Sequence, residues 1–345
     1  MRILERLDEL YAIGGGPGAN RVANSPEEDA AHELVAGWLQ EAGLAVESDA
    51  AGNLLGRLPG TRPEAGELWT GSHLDSVPQG GRFDGALGVV AALEAVERVG
   101  RQERTLCVVA FRGEEVGCLG SRARCDRVGA LPELFVELHV EQGPRLARLG
   151  APLAVVTGIA GYVRDELRCE GRAGHAGTTP MEDREDALVA AAERILALRD
   201  AARAIPDAVA TVGQVAVEPG AGNVIPAVVR LSVDARAPDR ERLDALVAAI
   251  GFEPALRVEP VAMDAAAVAA GREALAGLGV PVVELASGAG HDAGILAAAG
   301  VRSGMLFVRS LNGGISHSPD ELSSDEDVAL AVDVLERTLR GLACA

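Results

Sequence analysis

The sequence contains no lysine: all 32 of its basic residues are arginine, in a chain of 345 residues. Catalysis through a Schiff base, a lysine-anchored pyridoxal phosphate or the lysine of a P-loop is therefore excluded, because each needs an ε-amino group. Acidic residues outnumber the basic ones at 51, which gives a formal net charge of −19. Nucleic-acid binding is not expected, because there is no basic surplus to neutralise phosphates.

Aromatic residues make up only 3% of the chain, and cysteines and long apolar runs are also scarce. The five cysteines include no CxxC pair, which fits reduced thiols better than a disulfide framework. The N-terminal residues MRILER carry charges where a signal peptide would be apolar, and no run reaches the roughly 18 apolar residues of a membrane span. We therefore expect a soluble, cytoplasmic protein of roughly two domains.

Short apolar segments alternate with helical ones in the first part of the chain. Residues 25–28 (SPEE) form a capping box with proline at the first helical position, and the helix that follows is expected to end at Gly43. After it the pattern predicts strands at 67–72, 105–111 and 134–140 and helices at 86–99 and 119–128. This order is typical of an α/β domain with a mainly parallel sheet.

The pattern changes near Gly158, where longer alternating strands surround two helices. The predicted order is β-α-β-β-α-β, with strands at 162–170, 209–217, 228–235 and 255–261 and helices at 184–202 and 240–250. It indicates a ferredoxin-like α+β unit whose sheet has one bare edge or face available for pairing.

The α/β rhythm returns after Asp264, with a helix to 278, a strand at 280–285, a helix from 291, a strand at 304–308 and a helix at 324–342. We therefore predict that residues 1–157 and 264–345 share one catalytic domain. Residues 158–263 would be inserted into it.

Five of the six histidines lie in loops that are rich in glycine or carboxylate. The strand that ends in GSHLD (71–75) is followed by GGRFDG (80–85), so His73, Asp75 and Asp84 are close in sequence. A carboxylate commonly holds the second ring nitrogen of a metal-bound histidine, and Asp75 is placed for this. Glu114 and Glu115 follow the next strand; neighbouring side chains diverge there, so one can bind a metal while the other stays free as a base.

Two further segments place His139 in VELHVEQG, with Glu137 on the same side of the strand, and His317 in NGGISHSP. Each pattern alone also fits a solvated or structural loop, but the four strand ends together favour a metal site. Such ligands suit Zn²⁺, Mn²⁺, Co²⁺ or Ni²⁺, and one shared carboxylate would allow two ions. A metal there would activate water and polarise a substrate carbonyl, and a free glutamate could transfer the proton.

With these motifs the chain resembles the M20-type metallohydrolases of the hydantoinase/carbamoylase branch, which includes allantoate amidohydrolase, N-carbamoyl-L-amino acid hydrolase and β-ureidopropionase. The resemblance covers nearly the whole chain and extends to the segments at 137–144, 174–181, 222–226 and 290–293. It implies a catalytic α/β domain around an inserted dimerisation or lid domain, and hence a homodimer.

The resemblance also implies a role for each motif residue. One metal would be held by His73, Asp84 and His139, and the other by Asp84, Glu115 and His317. Glu114 would be the general base and Asp75 the orienting acid. Histidine at position 139, where ordinary M20 peptidases usually have an acid, favours the carbamoylase branch.

The resemblance further implies that four residues bind the substrate: Gln142, His175, Asn223 and Arg236. Arg236 would hold a substrate carboxylate in a bidentate pair, and His175 would stabilise the developing oxyanion. A surface ion pair for Arg236 and a turn role for Asn223 remain open alternatives. His291 and Asp292 would either line the pocket or cap a helix, and His32 is expected to have a helix-surface or packing role.

The expected reaction is hydrolysis of the C–N bond of a carbamoyl or ureido group next to a carboxylate, as in an N-carbamoyl amino acid or allantoate, with release of ammonia and CO₂. An M20 aminoacylase or dipeptidase with the same metals remains open, since the segment between Glu115 and His139 looks short for a carbamoylase. A catalytically silent dimeric binding protein is a third reading. Glu114 argues against it, because a binding site has no need for a free carboxylate beside its metals.

Overall fold

The computed structural model of the protein describes residues 2–126, 129–251 and 253–343. The chain divides into two compact units, one of Met1–Thr157 with Ala262–Ala345 and one of Gly158–Val261. Among the helices described, none combines the length and apolar character needed to cross a membrane.

The α-helices are α1 (Arg2–Ala12), α2 (Pro26–Glu41), α3 (Ala86–Val99), α4 (Leu119–Asp126), α5 (Arg145–Leu149), α6 (Ala187–Ala204), α7 (Arg240–Ile250), α8 (Ala265–Gly277), α9 (Asp292–Ala298) and α10 (Asp325–Ala343). The strands are β1 (Ala45–Ser48), β2 (Leu54–Leu58), β3 (Glu67–His73), β4 (Thr105–Phe111), β5 (Leu134–Val140), β6 (Leu153–Ile159), β7 (Gly161–Glu170), β8 (Gly174–His175), β9 (Val209–Glu218), β10 (Val224–Ile225), β11 (Val228–Ala237), β12 (Leu256–Val258), β13 (Val261–Ala262), β14 (Glu284–Ser287) and β15 (Arg302–Val308).

The main sheet has the strand order β1-β2-β4-β3-β5-β15-β6-β13, with β14 paired to β6. Its four central strands β4, β3, β5 and β15 run parallel, and β2 and β6 flank them antiparallel. His73 lies opposite Phe111, and His139 lies opposite Phe307. The carboxyl ends of the parallel strands therefore meet at one edge of the sheet, where open α/β sheets bind ligands.

The central strands are buried along almost their whole length, as expected for strands covered on both faces. Trp69, Phe111 and Phe135 are completely or almost completely buried, and the rings of the two phenylalanines meet edge to face with centroids 5.9 Å apart. Apolar residues dominate β4 and β5, and the predictions at 105–111 and 134–140 agree with these two strands to the residue. The predicted α/β fold with a mainly parallel sheet is confirmed.

The second unit contains a four-stranded antiparallel sheet of order β12-β7-β11-β9, with α6 and α7 packed against it. Burial alternates along β11, so that Leu231, Val233 and Ala235 face the helices. Strands β8 and β10 form a separate two-stranded ribbon. This is the predicted ferredoxin-like α+β arrangement, and β9 forms one edge of its sheet.

Several predicted boundaries are wrong for identifiable reasons. Helix α6 begins at Ala187, not at 184, because Asp186 caps it by accepting from the N–H groups of Leu188 and Val189. Strand β14 begins at 284, later than the predicted 280, after a proline that has no N–H to donate. The predicted strand at 255–261 is interrupted in the same way at Pro260. The predicted end of α4 at Val128 lies outside the described residues.

Several elements of the structure were not predicted from the sequence. They include α1, α5, β1, β2 and β6. Helix α1 is amphipathic, with Ile3, Leu7 and Leu10 at helical spacing along one buried face, so a local signal for it was present. Strand β1 is mostly exposed, so its sequence shows no alternation that marks a half-buried strand.

Candidate metal centre

The ends of the parallel strands bring the five predicted metal ligands of the first unit together. His73 is the last residue of β3, Glu115 follows β4, and His139 is the penultimate residue of β5. Asp84 lies just before α3, and His317 lies in the loop between β15 and α10.

A first group consists of His73, Asp84 and His139, all of them buried. The Nε2 atom of His139 lies 3.2 Å from Asp84 Oδ1, and the Nε2 atom of His73 lies 3.8 Å from the same oxygen. The two Nε2 atoms are 3.4 Å apart. Three ligand atoms therefore point at one small volume.

A second group consists of Asp84, Glu115 and His317. The Nε2 atom of His317 lies 3.4 Å from Asp84 Oδ2 and 3.4 Å from Glu115 Oε2. Asp84 therefore presents Oδ1 to the first group and Oδ2 to the second. A carboxylate that belongs to both groups in this way is suited to bridge two metal ions.

Unusual backbone conformations shape the site. Gly85, the N-cap of α3, has φ 63°, and a Cβ atom there would lie 2.4 Å from the imidazole ring of His73. Gln142 and His317 have φ values of 54° and 55°, in the left-handed region that few non-glycine residues adopt. Such strain persists only where the surrounding structure holds it, and it is often found at functional sites.

Asp75 orients both His73 and the two glutamates. His73 Nδ1 lies 3.3 Å from Asp75 Oδ1 and 3.1 Å from its carbonyl oxygen. The two carboxylate oxygens of Asp75 accept from the backbone N–H groups of Glu114 and Glu115, at 3.0 and 3.1 Å. Asp75 thus directs the Nε2 atom of His73 towards Asp84 and fixes the start of the loop after β4.

Burial and charge change the pKa values of several of these groups. Burial raises the pKa of Glu114 to about 7, and its Oε2 atom lies 3.8 Å from His73 Nε2. Burial disfavours protonation of His139, but its hydrogen bond to Asp84 raises its pKa to about 9. Burial also works against ionisation of Asp84, yet the contact with His139 lowers its pKa overall. A carboxyl group with a pKa near neutrality is suited to general acid–base catalysis.

The donor set fits a pair of divalent metal ions. It consists of imidazole nitrogens and carboxylate oxygens, which suit borderline metals such as zinc. Glu115 Oε1 is buried without a hydrogen-bond partner among the residues that the structure describes. A buried polar atom of this kind is costly unless it has a partner such as a metal ion.

Gln142, one of the predicted substrate residues, lies at this centre. Its Nε2 atom donates to Asp84 Oδ2 at 3.0 Å and lies 3.4 Å from His317 Nε2. Its backbone N–H donates to Ser310 Oγ, which ties it to the segment after β15. The structure therefore places this amide beside the second group.

The other three predicted substrate residues belong to the second unit. Asn223 lies next to the β8–β10 ribbon, in which His175 pairs with Val224, and its carbonyl oxygen accepts from the N–H of Ala176. Arg236 is near the far end of β11, where its guanidinium group pairs with Asp234 at 2.7 and 3.1 Å and lies over the ring of Tyr162. The structure thus brings His175 and Asn223 together, and Arg236 lies eight residues along β11 from Val228.

Comparison with known proteins gives this site a family. The sequence profile of peptidase family M20/M25/M40 matches residues 69–341. N-carbamoyl-L-amino acid amidohydrolase from Geobacillus stearothermophilus is 37% identical over 99% of this chain and 98% of its own length. The crystal structure of an amidase of the hydantoinase/carbamoylase family from Burkholderia multivorans is 32% identical, with a TM-score of 0.90 over 100% of this chain and 98% of that one. The chain belongs to the hydantoinase/carbamoylase branch of the M20 family.

This amidohydrolase is also similar to a probable allantoate deiminase from Oryza sativa subsp. japonica, which is 33% identical over 94% of this chain and 84% of its own length. The alignment with the Geobacillus relative runs over 406 positions, compared with 345 residues in this chain. The relative therefore contains residues that this amidohydrolase lacks.

The sequence left two roles open for His291, lining the pocket or capping α9. Its side chain makes no cap hydrogen bond and is buried beside the candidate metal centre, with its ring centroid 4.5 Å from that of His139. His291 Nε2 lies 3.0 Å from Ser287 Oγ, and its Nδ1 atom lies 3.9 Å from Glu114 Oε1. The neighbouring Asp292 is fully buried and accepts from Ser121 Oγ at 2.5 Å.

Two further buried carboxylates lie close to the candidate centre: Glu137, whose position beside His139 was expected from the sequence but without a role, and Glu321, which was not expected. Glu137 accepts from Ser72 Oγ at 2.7 Å and from the N–H of Ala293 at 2.8 Å. Glu321 accepts from the N–H groups of Phe83 and Asp84 and from the hydroxyl of Ser316. For Glu137, the available signal was an acid two residues before His139 on the same face of a buried strand. Glu321, in a polar loop after His317, showed no such signal.

Proposed function

We propose that this amidohydrolase uses two divalent metal ions, zinc or manganese before cobalt or nickel, to hydrolyse the ureido C–N bond of an N-carbamoyl amino acid. The observation that carries this proposal is the position of Asp84, whose two carboxylate oxygens face two separate groups of ligands. His73 and His139 would hold one ion, and Glu115 and His317 the other. Such ions lower the pKa of water and polarise a carbonyl group.

Glu114 is the proposed general base. Its carboxylate lies beside the ligands without being part of either group, and burial raises its pKa to about 7. It would take a proton from the attacking water and deliver it to the leaving amine nitrogen of the amino acid. Water adds to the ureido carbon, the bond from that carbon to the amine breaks, and the carbamate released decays to ammonia and CO₂.

Arg236 would bind the substrate carboxylate, because a guanidinium group can form a bidentate pair with it. His175 and Asn223 would contact the reacting ureido group, the histidine as the oxyanion donor. Eight residues of extended strand span about 26 Å at ~3.3 Å per residue, so Arg236 and the β8–β10 ribbon of one chain are too far apart to share a small ligand. We therefore infer that the inserted unit forms a homodimer and that two copies contribute to each substrate site.

The choice of substrate rests on the relatives. Relatives named N-carbamoyl-L-amino acid amidohydrolases from Geobacillus stearothermophilus and Paenarthrobacter aurescens are 37% and 34% identical to this chain. A relative named allantoate deiminase, from Arabidopsis thaliana, is 32% identical. N-carbamoyl-L-amino acids are therefore the first substrates to test, with allantoate as the second.

The test measures ammonia and free amine released by the protein loaded with Mn²⁺ or Zn²⁺, with a chelated sample as control. The substrates are N-carbamoyl-L-amino acids, N-carbamoyl-β-alanine, allantoate and N-acetyl amino acids. We expect ammonia release that disappears on chelation and is fastest with an N-carbamoyl-L-amino acid. Amine release from the acetyl compounds without ammonia would show an aminoacylase instead, and no release from any compound would contradict the proposal.

A further inference from the structure

Glu321 is a buried acid that joins two loops of the candidate metal centre. It lies between β15 and α10 and is only 5% exposed. Its Oε2 atom accepts from the backbone N–H groups of Phe83 and Asp84, at 2.7 and 3.1 Å. Its Oε1 atom accepts from the hydroxyl of Ser316 at 3.0 Å. Both of its oxygens are therefore used, one on each loop.

These loops carry two of the three metal ligands that are not held by strands; the third, Glu115, lies in the loop after β4. Asp84 belongs to the loop after β3, and His317 follows Ser316 directly in the loop after β15. Ser316 Oγ also lies 3.3 Å from Asp84 Oδ2, the oxygen that faces His317. Glu321, Ser316 and Asp84 thus form a continuous chain of polar contacts that ends at the second ligand group.

The backbone around Glu321 is shaped to receive its carboxylate. A Cβ atom at Gly81 would lie 2.1 Å from Glu321 Oε2, so any side chain at this position would displace the carboxylate. The loop closes on itself through the hydrogen bonds from Leu311 N to Leu322 O at 2.6 Å and from Glu321 N to Ser318 O at 3.1 Å. This loop is the segment that holds His317 at its left-handed φ of 55°.

The two ligand groups depend on Glu321 to different degrees. His73 and His139 lie on the paired strands β3 and β5, and the ladder of the sheet holds them without help from this loop. Asp84 and His317 lie outside any strand or helix. Asp84 is common to both groups, but the first group keeps two ligands on strands, whereas two of the three ligands of the second group lie on loops that Glu321 holds. Removal of Glu321 should therefore disturb the His317 side of the centre more than the His73 side.

We propose that Glu321 is a positioning residue that makes the second metal position, formed by Asp84, Glu115 and His317, able to hold its ion. This inference rests on the proposed dinuclear function. Residues that orient metal ligands typically contribute 10- to 100-fold to metal affinity. The Glu321→Ala variant should bind one ion as the wild type does and the other roughly 10- to 100-fold more weakly.

The test is calorimetric titration of metal-free protein with Zn²⁺ or Mn²⁺ alone, with the metal content measured after gel filtration. The conservative Glu321→Gln variant should bind close to two ions, because its amide oxygen can accept both N–H groups and its NH₂ group can donate to Ser316. The Asp320→Ala variant is a matched control, since it removes an exposed carboxylate from the same loop. The unfolding temperature of each metal-free variant shows whether it folds.

The inference would be overturned if Glu321→Ala lost affinity for both ions. It would also be overturned if this variant bound both ions with wild-type affinity. If Glu321→Ala does not fold, Ser316→Ala is tested in its place, because Ser316 connects Glu321 to Asp84. The inference then predicts that this variant loses affinity for one of the two ions only. Wild-type protein that binds fewer than two ions would contradict the dinuclear centre itself, which separates failure of the proposed function from failure of this inference.

Discussion

Among single residues, Glu114 gives the most direct test of the reaction. Its side chain is 10% exposed and lies 3.8 Å from His73 Nε2, but it belongs to neither ligand group. Glu114→Gln should therefore lower kcat by at least about 100-fold, since general acid–base catalysis contributes 10²- to 10⁴-fold. The metal content of the variant should stay at the wild-type value. Full activity would exclude Glu114 as the base.

A pair of glycines that flank α3 tests how tightly His73 is packed. Gly85 and Gly100 have positive φ values of 63° and 67° with ψ values of −54° and −169°, so alanine at either costs on the order of 1–3 kcal/mol in backbone conformation. Only at Gly85 would the new methyl group meet the ring of His73; Gly100 faces open space. We expect both variants to lower the urea midpoint, but only Gly85→Ala to lose at least about 10-fold in metal affinity. Equal metal binding by the two would contradict this packing.

The lowered pKa of His32 predicts how the free energy of unfolding changes with pH. It is buried in α2, with Nδ1 3.0 Å from the carbonyl oxygen of Glu28, which settles its role as packing and not helix surface. Burial lowers its pKa to about 4. In the unfolded chain the pKa is ~6.5, so the unfolded state takes up the proton first as the pH falls. The group therefore stabilises the fold above about pH 6.5, and this contribution, roughly 3 kcal/mol, is lost by pH 4.

The measurement is urea unfolding of metal-free protein between pH 7 and pH 4, because bound metal would add its own pH dependence. His32→Gln keeps a donor for Glu28 but cannot titrate. Its unfolding free energy should fall less steeply than that of the wild type over this range. Parallel curves for the two proteins would show that His32 does not contribute.

At the scale of elements, strand β9 gives a test of the inferred dimer. It lies at one edge of the second sheet and pairs only with β11 among the residues described, and its Val209 and Val215 are 54% and 51% exposed. An exposed apolar edge strand is a template for pairing with another chain. Val215→Asp should therefore shift the protein towards the monomer in sedimentation velocity. Val282 is also an exposed valine, but it belongs to the first unit. Val282→Asp is therefore the matched control and should leave the assembly unchanged.

Helix α2 separates what a local sequence pattern predicts from what only the folded chain contains. Helix α2 begins as its capping box predicts, with Ser25 Oγ accepting from the N–H of Glu28 at 3.2 Å. Its Glu28, however, reaches beyond the helix to the N–H of Gly113, near the two glutamates. The local signal predicted the helix, but the contact with a loop 85 residues away exists only in the folded chain.

At the scale of the whole molecule, metal removal should lower stability. Asp75, Asp84, Glu114 and Glu115 converge in a chain that already has a net charge of −19. Ions that bind only the folded state stabilise it by about 2.7 kcal/mol at 100 times Kd. Chelation should therefore lower the unfolding temperature by roughly 4 °C for one ion and about 8 °C for two. Differential scanning calorimetry with and without chelator measures this change. In the control variant Asp84→Asn, which lacks the shared negative charge, added metal should raise the unfolding temperature much less.

The sequence by itself determined the class of fold and the chemistry that is available. Strands that are buried on both faces are rich in apolar residues, so β4 and β5 could be located from local pattern even though β5 also contains Glu137 and His139. The absence of lysine, and the occurrence of histidines and acids at strand ends, pointed to metal-dependent hydrolysis. These signals are local, because each depends on residue type and spacing within a few positions.

Only the tertiary structure decided which atoms face each other. Parallel pairing of β3 with β4 and β5 aligned the loops that follow them, and this placed one oxygen of Asp84 towards His139 and the other towards His317. Glu321 lies 237 residues from Asp84 in the chain, yet it binds the backbone of that residue directly. Its role follows from long-range packing, and no spacing along the sequence contains that information.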